Sequence, residues 1–137
     1  MINKQEVINI KLPFPNIDSD LARTRHMYIC KDNTLNYSFV KTQTFKPTIL
    51  YFVNNYIIEN PDISRNPFSK PTLIDLDKEF HINNSINISR EAICRIRANV
   101  CDELFTEILE KTKKPIYKNF DKESVLRLNK DYLSDVI

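Results

Sequence analysis

The chain has 137 residues, a formal net charge of +2 and no glycine. Average usage of about 7% would supply roughly ten glycines in a domain of this length. P-loops, dinucleotide-binding GxGxxG turns and GxSxG nucleophile elbows all need glycine where the backbone approaches phosphate or takes a positive φ. The composition therefore excludes these three kinds of site, and the mild charge does not by itself indicate nucleic acid.

The remaining composition is that of a single folded domain. Hydrophobic residues make up 42% and charged residues 28% of the chain, which is typical of a domain with its own core. Cys30, Cys94 and Cys101 form no CxxC pair and indicate a reduced protein, and two histidines give no metal-ligand pattern. No signal peptide is visible, and no apolar run approaches the roughly 18 residues of a membrane span. We therefore expect a cytoplasmic protein with no metal and no membrane insertion.

Alternation of apolar and polar residues predicts strands over the first two thirds of the chain. Ile8, Ile10 and Leu12 share one face of the first strand, which Pro13 ends. A short turn at residues 32–33 predicts a hairpin between the second and third strands. The pattern also predicts a loop over residues 60–71, and the full set of later strands is 26–31, 35–42, 48–53, 72–77, 79–83 and 92–97.

The spacing changes to that of a helix near residue 99. Val100, Leu104 and Ile108 recur at helical intervals, Asn99 is suited to cap the first turn, and Pro115 prevents continuation. A second helix is predicted over residues 121–136. Strands first and helices last predict a β-rich α+β fold, a small antiparallel β-barrel or curled sheet with C-terminal helices.

Two arginines precede the second strand and are candidates for binding phosphate. Arg23 and Arg25 lie one residue apart at a loop–strand junction, and the planar guanidinium binds phosphate with two hydrogen bonds. The alternative is a solvated loop edge at which these arginines pair with Asp18 and Asp20.

Polar residues on two later strands form the next candidate cluster. Thr42 ends the predicted third strand and Thr44 follows it. Hydroxyls at a strand end can hydrogen-bond a phosphoryl oxygen, although threonine is also a common strand residue. Asp75 and Asp77 alternate with aliphatic residues and share one face. Either carboxylate could act as a general base, orient an arginine or form a structural ion pair, and a third ligand for a metal is not evident.

His26 and His81 are the only side chains whose ordinary pKa lies near neutrality. Each is a candidate base, with a packed or half-exposed surface histidine as the alternative. Cys94 and Cys101 lie on apolar stripes and are expected in the core.

The order of these clusters resembles the MazF/PemK-type toxins. In that family a first strand is followed by a variable loop, a Lys-Arg-Pro step into the next strand, a Thr-Ser step, a Ser-x-Ile-Asp strand and a closing helix. The resemblance covers roughly residues 6–114, with the matching segments at residues 12–15, 25, 42–44, 70–80 and 99–114. It implies an SH3-like barrel domain over residues 1–114, to which residues 115–137 would add a helical extension packed on the same domain.

The resemblance also implies an activity. Members of the family are homodimers that cleave single-stranded RNA without a metal or cofactor, and a cognate antitoxin protein inhibits them. By this resemblance Arg25 would stabilise the phosphorane or supply a proton, Thr42 or Thr44 would hold the phosphate, and Asp75 would be base or orienter. The residues expected to line the RNA path are Arg23, Arg65 and Lys70, with Phe45 and Phe68 stacking on unpaired bases.

The sequence departs from the family pattern at two positions. His26 stands where the family has proline, and Gln43-Thr44 stands where the family has serine. His26 could have taken over as the base. The alternative is a catalytically inactive barrel that binds RNA or protein, for example as an inhibitor in host defence or in a phage.

Overall fold

The computed structural model describes residues 1–136 and shows a mixed α+β fold with eight strands and three α-helices in that range. The strands are β1 (Val7–Ile10), β2 (His26–Asp32), β3 (Tyr37–Thr44), β4 (Tyr56–Glu59), β5 (Thr72–Ile82), β6 (Ile86–Ile88), β7 (Ile116–Asn119) and β8 (Leu133–Asp135). The α-helices are α1 (Asp20–Arg23), α2 (Asp102–Lys111) and α3 (Lys122–Leu128), and 3₁₀ helices span Pro47–Tyr51 and Arg90–Ala92.

Six strands form one sheet around the long strand β5. Their order is β1-β2-β3-β5-β4, and β7 pairs in parallel with β5 beyond the end of β4. Along its opposite edge β5 pairs with β3. There Phe39 of β3 lies opposite Phe80, whereas Lys41, two residues later, lies opposite Asp75, so β5 bulges between these two pairs. This bulge divides β5 into a first half that pairs with β4 and a second half that pairs with β7.

Both faces of this sheet are buried, because alternate side chains of each strand enter different clusters. Tyr28, Phe39 and Phe80 lie on one face, which α3, β6 and β8 cover. The opposite face carries the aliphatic residues Ile29, Val40 and Ile74 and is covered by α2. The sheet of residues 1–136 does not close into a barrel, so the α+β class is confirmed and the SH3-like barrel is not.

The sequence prediction is confirmed for β1, β2, β3 and α2, with shifts at their ends. The strand predicted at residues 48–53 is wrong, because Pro47 opens a 3₁₀ helix there. That segment ends where the Asp77 carboxylate accepts the N–H groups of Asn54 and Asn55, at 2.7 and 3.0 Å. The chain then turns into β4, which the sequence pattern does not predict.

Other differences arise from pairing between distant segments. The predicted strands at 72–77 and 79–83 form the single strand β5. Residues 92–97 form no strand and meet β1 through the isolated bridge of Ile8 with Ile93 and a side-chain hydrogen bond from Asn9 to Cys94 Sγ. Cys101, not Asn99, caps α2, since its Sγ accepts the N–H of Leu104 at 3.4 Å.

The segment after Pro115 is not helical throughout. It contains β7, α3 and β8, and Ile137, the last residue of the expected helical extension, lies outside the described residues. Asn129 ends α3: its amide donates to the carbonyl oxygens of Lys11 and Val125 and accepts the N–H of Lys11. These hydrogen bonds fasten the segment to the end of β1. Within residues 1–136, no helix has the length and apolar character needed to cross a bilayer.

Replacing Asn129 by alanine tests this attachment. We expect Asn129→Ala to lower the free energy of unfolding by about 1–3 kcal/mol, because the backbone groups of Lys11 lose their partner. Urea denaturation followed by circular dichroism measures the change, with the exposed neighbour Lys130→Ala as control. Equal stability of the two variants would contradict the attachment.

Candidate functional site

A groove of about 190 Å³ lies where β2 begins and β3 ends. The antiparallel pairing of β2 with β3 brings these two ends together, and the pair Thr44–Thr72 adds the start of β5 and the loop before it. We call it the Arg25 groove; its lining residues are Asn9, Arg25, His26, Met27, Thr42, Gln43, Thr44, Phe68, Ser69, Lys70 and Thr72. Six residues predicted from the sequence therefore meet here: Arg25, His26, Thr42, Thr44, Phe68 and Lys70.

The wall of the Arg25 groove carries positive charge and no carboxylate. Arg25 and Lys70 are its fixed charges, and no Asp or Glu is among the lining residues. The two chain segments that meet at this end, residues 42–58 and 63–74, contain no acidic residue. A groove lined by one sign of charge concentrates ligands of the opposite sign, so this one favours anions.

Arg25 is held by an aromatic ring and a weak ion pair. Its guanidinium lies 4.4 Å from the ring centroid of Tyr132 and donates to the Tyr132 hydroxyl and to Asp131, both at 3.3 Å. The Asp131 side chain is 79% exposed, and such surface pairs contribute little free energy. A phosphate can therefore displace Asp131 while Tyr132 keeps the guanidinium in place.

His26 is half-buried beside Arg25. Its Nδ1 lies 3.0 Å from the carbonyl oxygen of Thr24. A carbonyl can only accept, so Nδ1 carries the proton in this contact and Nε2 of the neutral ring is left as an acceptor. This tautomer is the one a general base needs.

The two threonines differ in what they can offer a ligand. Thr42 is buried, and its hydroxyl donates to the carbonyl oxygen of Met27 at 2.8 Å. That bond joins β2 to β3 and occupies the hydroxyl proton. Thr44 is exposed at the end of β3, so Thr44 is the hydroxyl that can donate to a bound anion.

Asp75 lies outside the Arg25 groove. The Asp75 side chain is completely buried and accepts the backbone N–H of Asp77 at 2.9 Å. Its carboxylate oxygen Oδ2 lies 3.3 Å from Lys78 Nζ and 3.8 Å from Lys41 Nζ. A carboxylate enclosed in this way cannot reach a substrate. It can, however, position Lys41.

Sequence reasoning gave Lys41 no role. This lysine lines a neighbouring cavity of about 320 Å³ together with His26 and Gln43, both of which also line the Arg25 groove. Burial lowers the pKa of Lys41, although Asp75 opposes the shift. The signal for Lys41 is its register opposite Asp75, which becomes visible only once β3 is paired with β5.

The other predicted residues lie in less accessible or more distant places. Phe68 belongs to the core with 7% of its surface exposed and leaves little ring area for a base. Arg65 is held by Glu59, with Nε 2.7 Å from Oε1, and Phe45 is half-buried. Arg23 is exposed on α1 and does not line the Arg25 groove.

A larger cleft, of about 510 Å³, lies at the opposite end of β2 and β3. The buried carboxylate of Glu79 lines this cleft and accepts hydrogen bonds from Lys31 and from the Ser38 hydroxyl, the latter at 2.7 Å. His81 Nε2 lies 3.6 Å from Glu79 Oε1. Only His81 was singled out from the sequence. We call these four residues, Lys31, Ser38, Glu79 and His81, the Glu79 network. Because the charges of Lys31 and Glu79 neutralise each other, we interpret the network as a structural element of the sheet.

The Glu79 network predicts a dependence of stability on pH. Burial would raise the pKa of Glu79, but the hydrogen bonds from Lys31 and Ser38 outweigh it and hold the pKa below its ordinary value of 4.5. Ionised Glu79 therefore stabilises the fold above that value, and this contribution is lost as the pH falls through the folded-state pKa.

The variant Glu79→Gln removes the carboxyl group that titrates. At neutral pH we expect it to lower the free energy of unfolding by about 1–3 kcal/mol, since Lys31 loses its charged partner. Between about pH 5 and 2 its stability should fall less steeply than that of the wild type. Urea denaturation at a series of pH values measures the free energy of unfolding and its dependence on pH. Glu91→Gln, at an exposed position, is the control. Parallel pH profiles for wild type and Glu79→Gln would refute the role given to Glu79.

Cysteine and metal chemistry find no support among residues 1–136. The cysteines are free and buried, and burial raises the pKa of Cys30 to about 12 and that of Cys94 to about 11. Thiols with such pKa values are poor nucleophiles. Within the same range, no three His, Cys, Asp or Glu side chains form a group that could hold a metal ion.

Comparison with protein families, curated proteins and solved structures finds no match in any of the three. The resemblance to MazF/PemK-type toxins therefore stays a prediction, and the function must be argued from the geometry of the site.

Proposed function

We propose that the Arg25 groove binds the phosphodiester backbone of single-stranded RNA and cleaves it without a metal ion. One observation carries the proposal: Arg25, His26, Thr44 and Lys70 converge on a groove whose lining contains no carboxylate. The proposal does not need the SH3-like barrel, since the groove depends only on how β2, β3 and β5 pair.

Binding would use the charges of the groove. The guanidinium of Arg25 presents a fork of donors to two phosphate oxygens once Asp131 is displaced, and Lys70 adds a point charge. Thr44 would donate a further hydrogen bond. These contacts recognise phosphate and leave the choice of bases to other parts of the surface.

Cleavage would proceed by attack of the ribose 2′-hydroxyl on the adjacent phosphorus. Nε2 of His26 accepts the 2′-hydroxyl proton while the 2′-oxygen bonds to phosphorus. Arg25 and Lys70 stabilise the negative charge of the phosphorane. The bond from phosphorus to the 5′-oxygen then breaks, leaving a 2′,3′-cyclic phosphate and a 5′-hydroxyl.

The leaving 5′-oxygen requires a proton, and Lys41 is the group suited to provide it. It shares a cavity with His26, and burial lowers its pKa, which makes its ammonium a stronger acid. Asp75 would act through Lys41 by holding the ammonium in position. Solvent exchange returns the proton to Lys41 and removes the one taken by His26.

A second function, RNA or protein binding without cleavage, is favoured by one observation. Lys41 lies in a cavity adjoining the Arg25 groove and does not line the groove itself. If Lys41 cannot reach the leaving oxygen, the groove binds an anionic partner and leaves it intact. In the toxin proposal, the antitoxin would be an acidic segment that competes for Arg25 and Lys70, and the toxin would be a homodimer.

Incubation with a long unstructured RNA in EDTA, followed by analysis of the new ends, tests the proposal. We expect cyclic phosphate ends from the wild type and a rate on the order of 10²–10³ lower for Arg25→Ala, which loses a donor to the phosphorane. Arg127→Ala, an exposed arginine of α3 outside the Arg25 groove, is the matched control.

The outcomes separate the two functions. Cleavage that survives Arg25→Ala would rule out the assignment of this residue. RNA that is bound but stays intact would favour the non-cleaving function. Absence of both binding and cleavage by folded wild-type protein would refute the RNA site altogether.

A further inference from the structure

Two consecutive aromatic residues are exposed on the segment that follows β3. Tyr51 is 85% exposed and Phe52 is 80% exposed, and the 3₁₀ helix Pro47–Tyr51 buries none of its residues. Most other aromatic residues of the chain are buried or half-buried. Two large apolar side chains exposed at consecutive positions mark a candidate binding surface.

The backbone under these rings is anchored at both ends. At the start, the N–H of Phe45 donates to the carbonyl oxygen of Pro71 at 2.8 Å, directly after the groove residue Lys70. At the far end Val53 is buried, and the carboxylate of Asp77 holds the next two N–H groups of the chain. The rings therefore project from a fixed support, which limits the conformational entropy lost when a ligand binds.

This support begins in the Arg25 groove. Tyr51 is seven positions after Thr44 along the chain. Since Pro47–Tyr51 is a 3₁₀ helix, the Cα atoms of Thr44 and Tyr51 are at most about 20 Å apart. A ligand that extends from the Arg25 groove by a few nucleotides can reach the rings.

The charge of the surroundings favours a polyanion over a protein partner. Lys46 and Lys70 are exposed on the two segments that meet here, and neither segment, 42–58 or 63–74, contains an acidic residue. The nearby carboxylate of Asp77 is occupied by the two backbone N–H groups that it accepts. Protein interfaces combine both signs of charge around an apolar centre, whereas single-stranded nucleic acid sites combine lysine and arginine with exposed rings.

We propose that Tyr51 and Phe52 are a stacking platform for unpaired bases of the RNA strand whose phosphates occupy the Arg25 groove, an inference that rests on the proposed function. Every base offers a π face, so such a platform adds affinity with little sequence preference. It replaces the role that sequence reasoning gave to Phe68, whose ring is buried in the core.

Fluorescence anisotropy with a labelled oligouridylate in EDTA tests the platform. We expect Tyr51→Ala and Phe52→Ala each to weaken binding roughly 5- to 100-fold, as loss of a stacked base does in other single-strand sites. Tyr51→Phe should bind as the wild type does, because it keeps the ring. Thr48→Ala, an exposed position of the same 3₁₀ helix, is the matched control.

Two further readouts distinguish stacking from charge. The dependence of affinity on salt should be unchanged in the ring variants, whereas Lys70→Ala should reduce its slope by about 0.7, the value for one phosphate contact on a single strand. An abasic oligonucleotide of equal length should bind wild type and ring variants equally, because it offers phosphates and no bases.

Each contrary outcome has a separate meaning. RNA binding that depends on Lys70 but not on the rings would overturn the platform and leave the proposed function intact. Ring variants that abolish self-association at unchanged RNA affinity would overturn it in favour of an interface between copies of the chain. No binding of RNA by the wild type would refute the proposed function and the platform with it.

Discussion

The bulge of β5 is the constraint on which the remaining structure depends. A single strand pairs with β3 along one side and with β4 and then β7 along the other, and its register with β3 shifts between Asp75 and Phe80. Two carboxylates satisfy the backbone there: the buried Asp75 accepts the N–H of Asp77, and the half-buried Asp77 accepts the two N–H groups that lead into β4. The Arg25 groove lies at the start of β5 and the Glu79 network lies beyond the bulge, so the two sites are at opposite ends of the sheet.

The distribution of carboxylates makes these two ends chemically different. Three buried carboxylates of β4 and β5 each face a cation: Glu59 faces Arg65, Asp75 faces Lys41 and Lys78, and Glu79 faces Lys31. None of the three lines the Arg25 groove. Arg25 pairs with the exposed Asp131, a contact that contributes little free energy. The groove therefore keeps a local excess of positive charge, of the kind that attracts anions, in a chain whose net charge is only +2.

Part of the candidate site follows from the hairpin alone. Once β2 and β3 are expected to pair, the start of one strand must lie beside the end of the other, which brings Arg25 and His26 near Thr44. Asp75 could not be assigned in this way, since its burial against Lys41 depends on the register of β3 with β5. The same register converts Asp75 from a candidate base into a residue that positions a lysine.

The order of residues along the chain is enough to exclude glycine-dependent sites, to indicate the α+β class and to locate the elements with a clear period, β1, β2, β3 and α2. Tertiary structure alone decided that β5 is continuous, that residues 48–53 form no strand, that Phe68 is buried and that Tyr51 and Phe52 are not. The physical reason is that local alternation indicates which side chains share a face but not what covers that face. An apolar, β-branched run looks the same in sequence whether a neighbouring strand pairs with it or leaves it exposed.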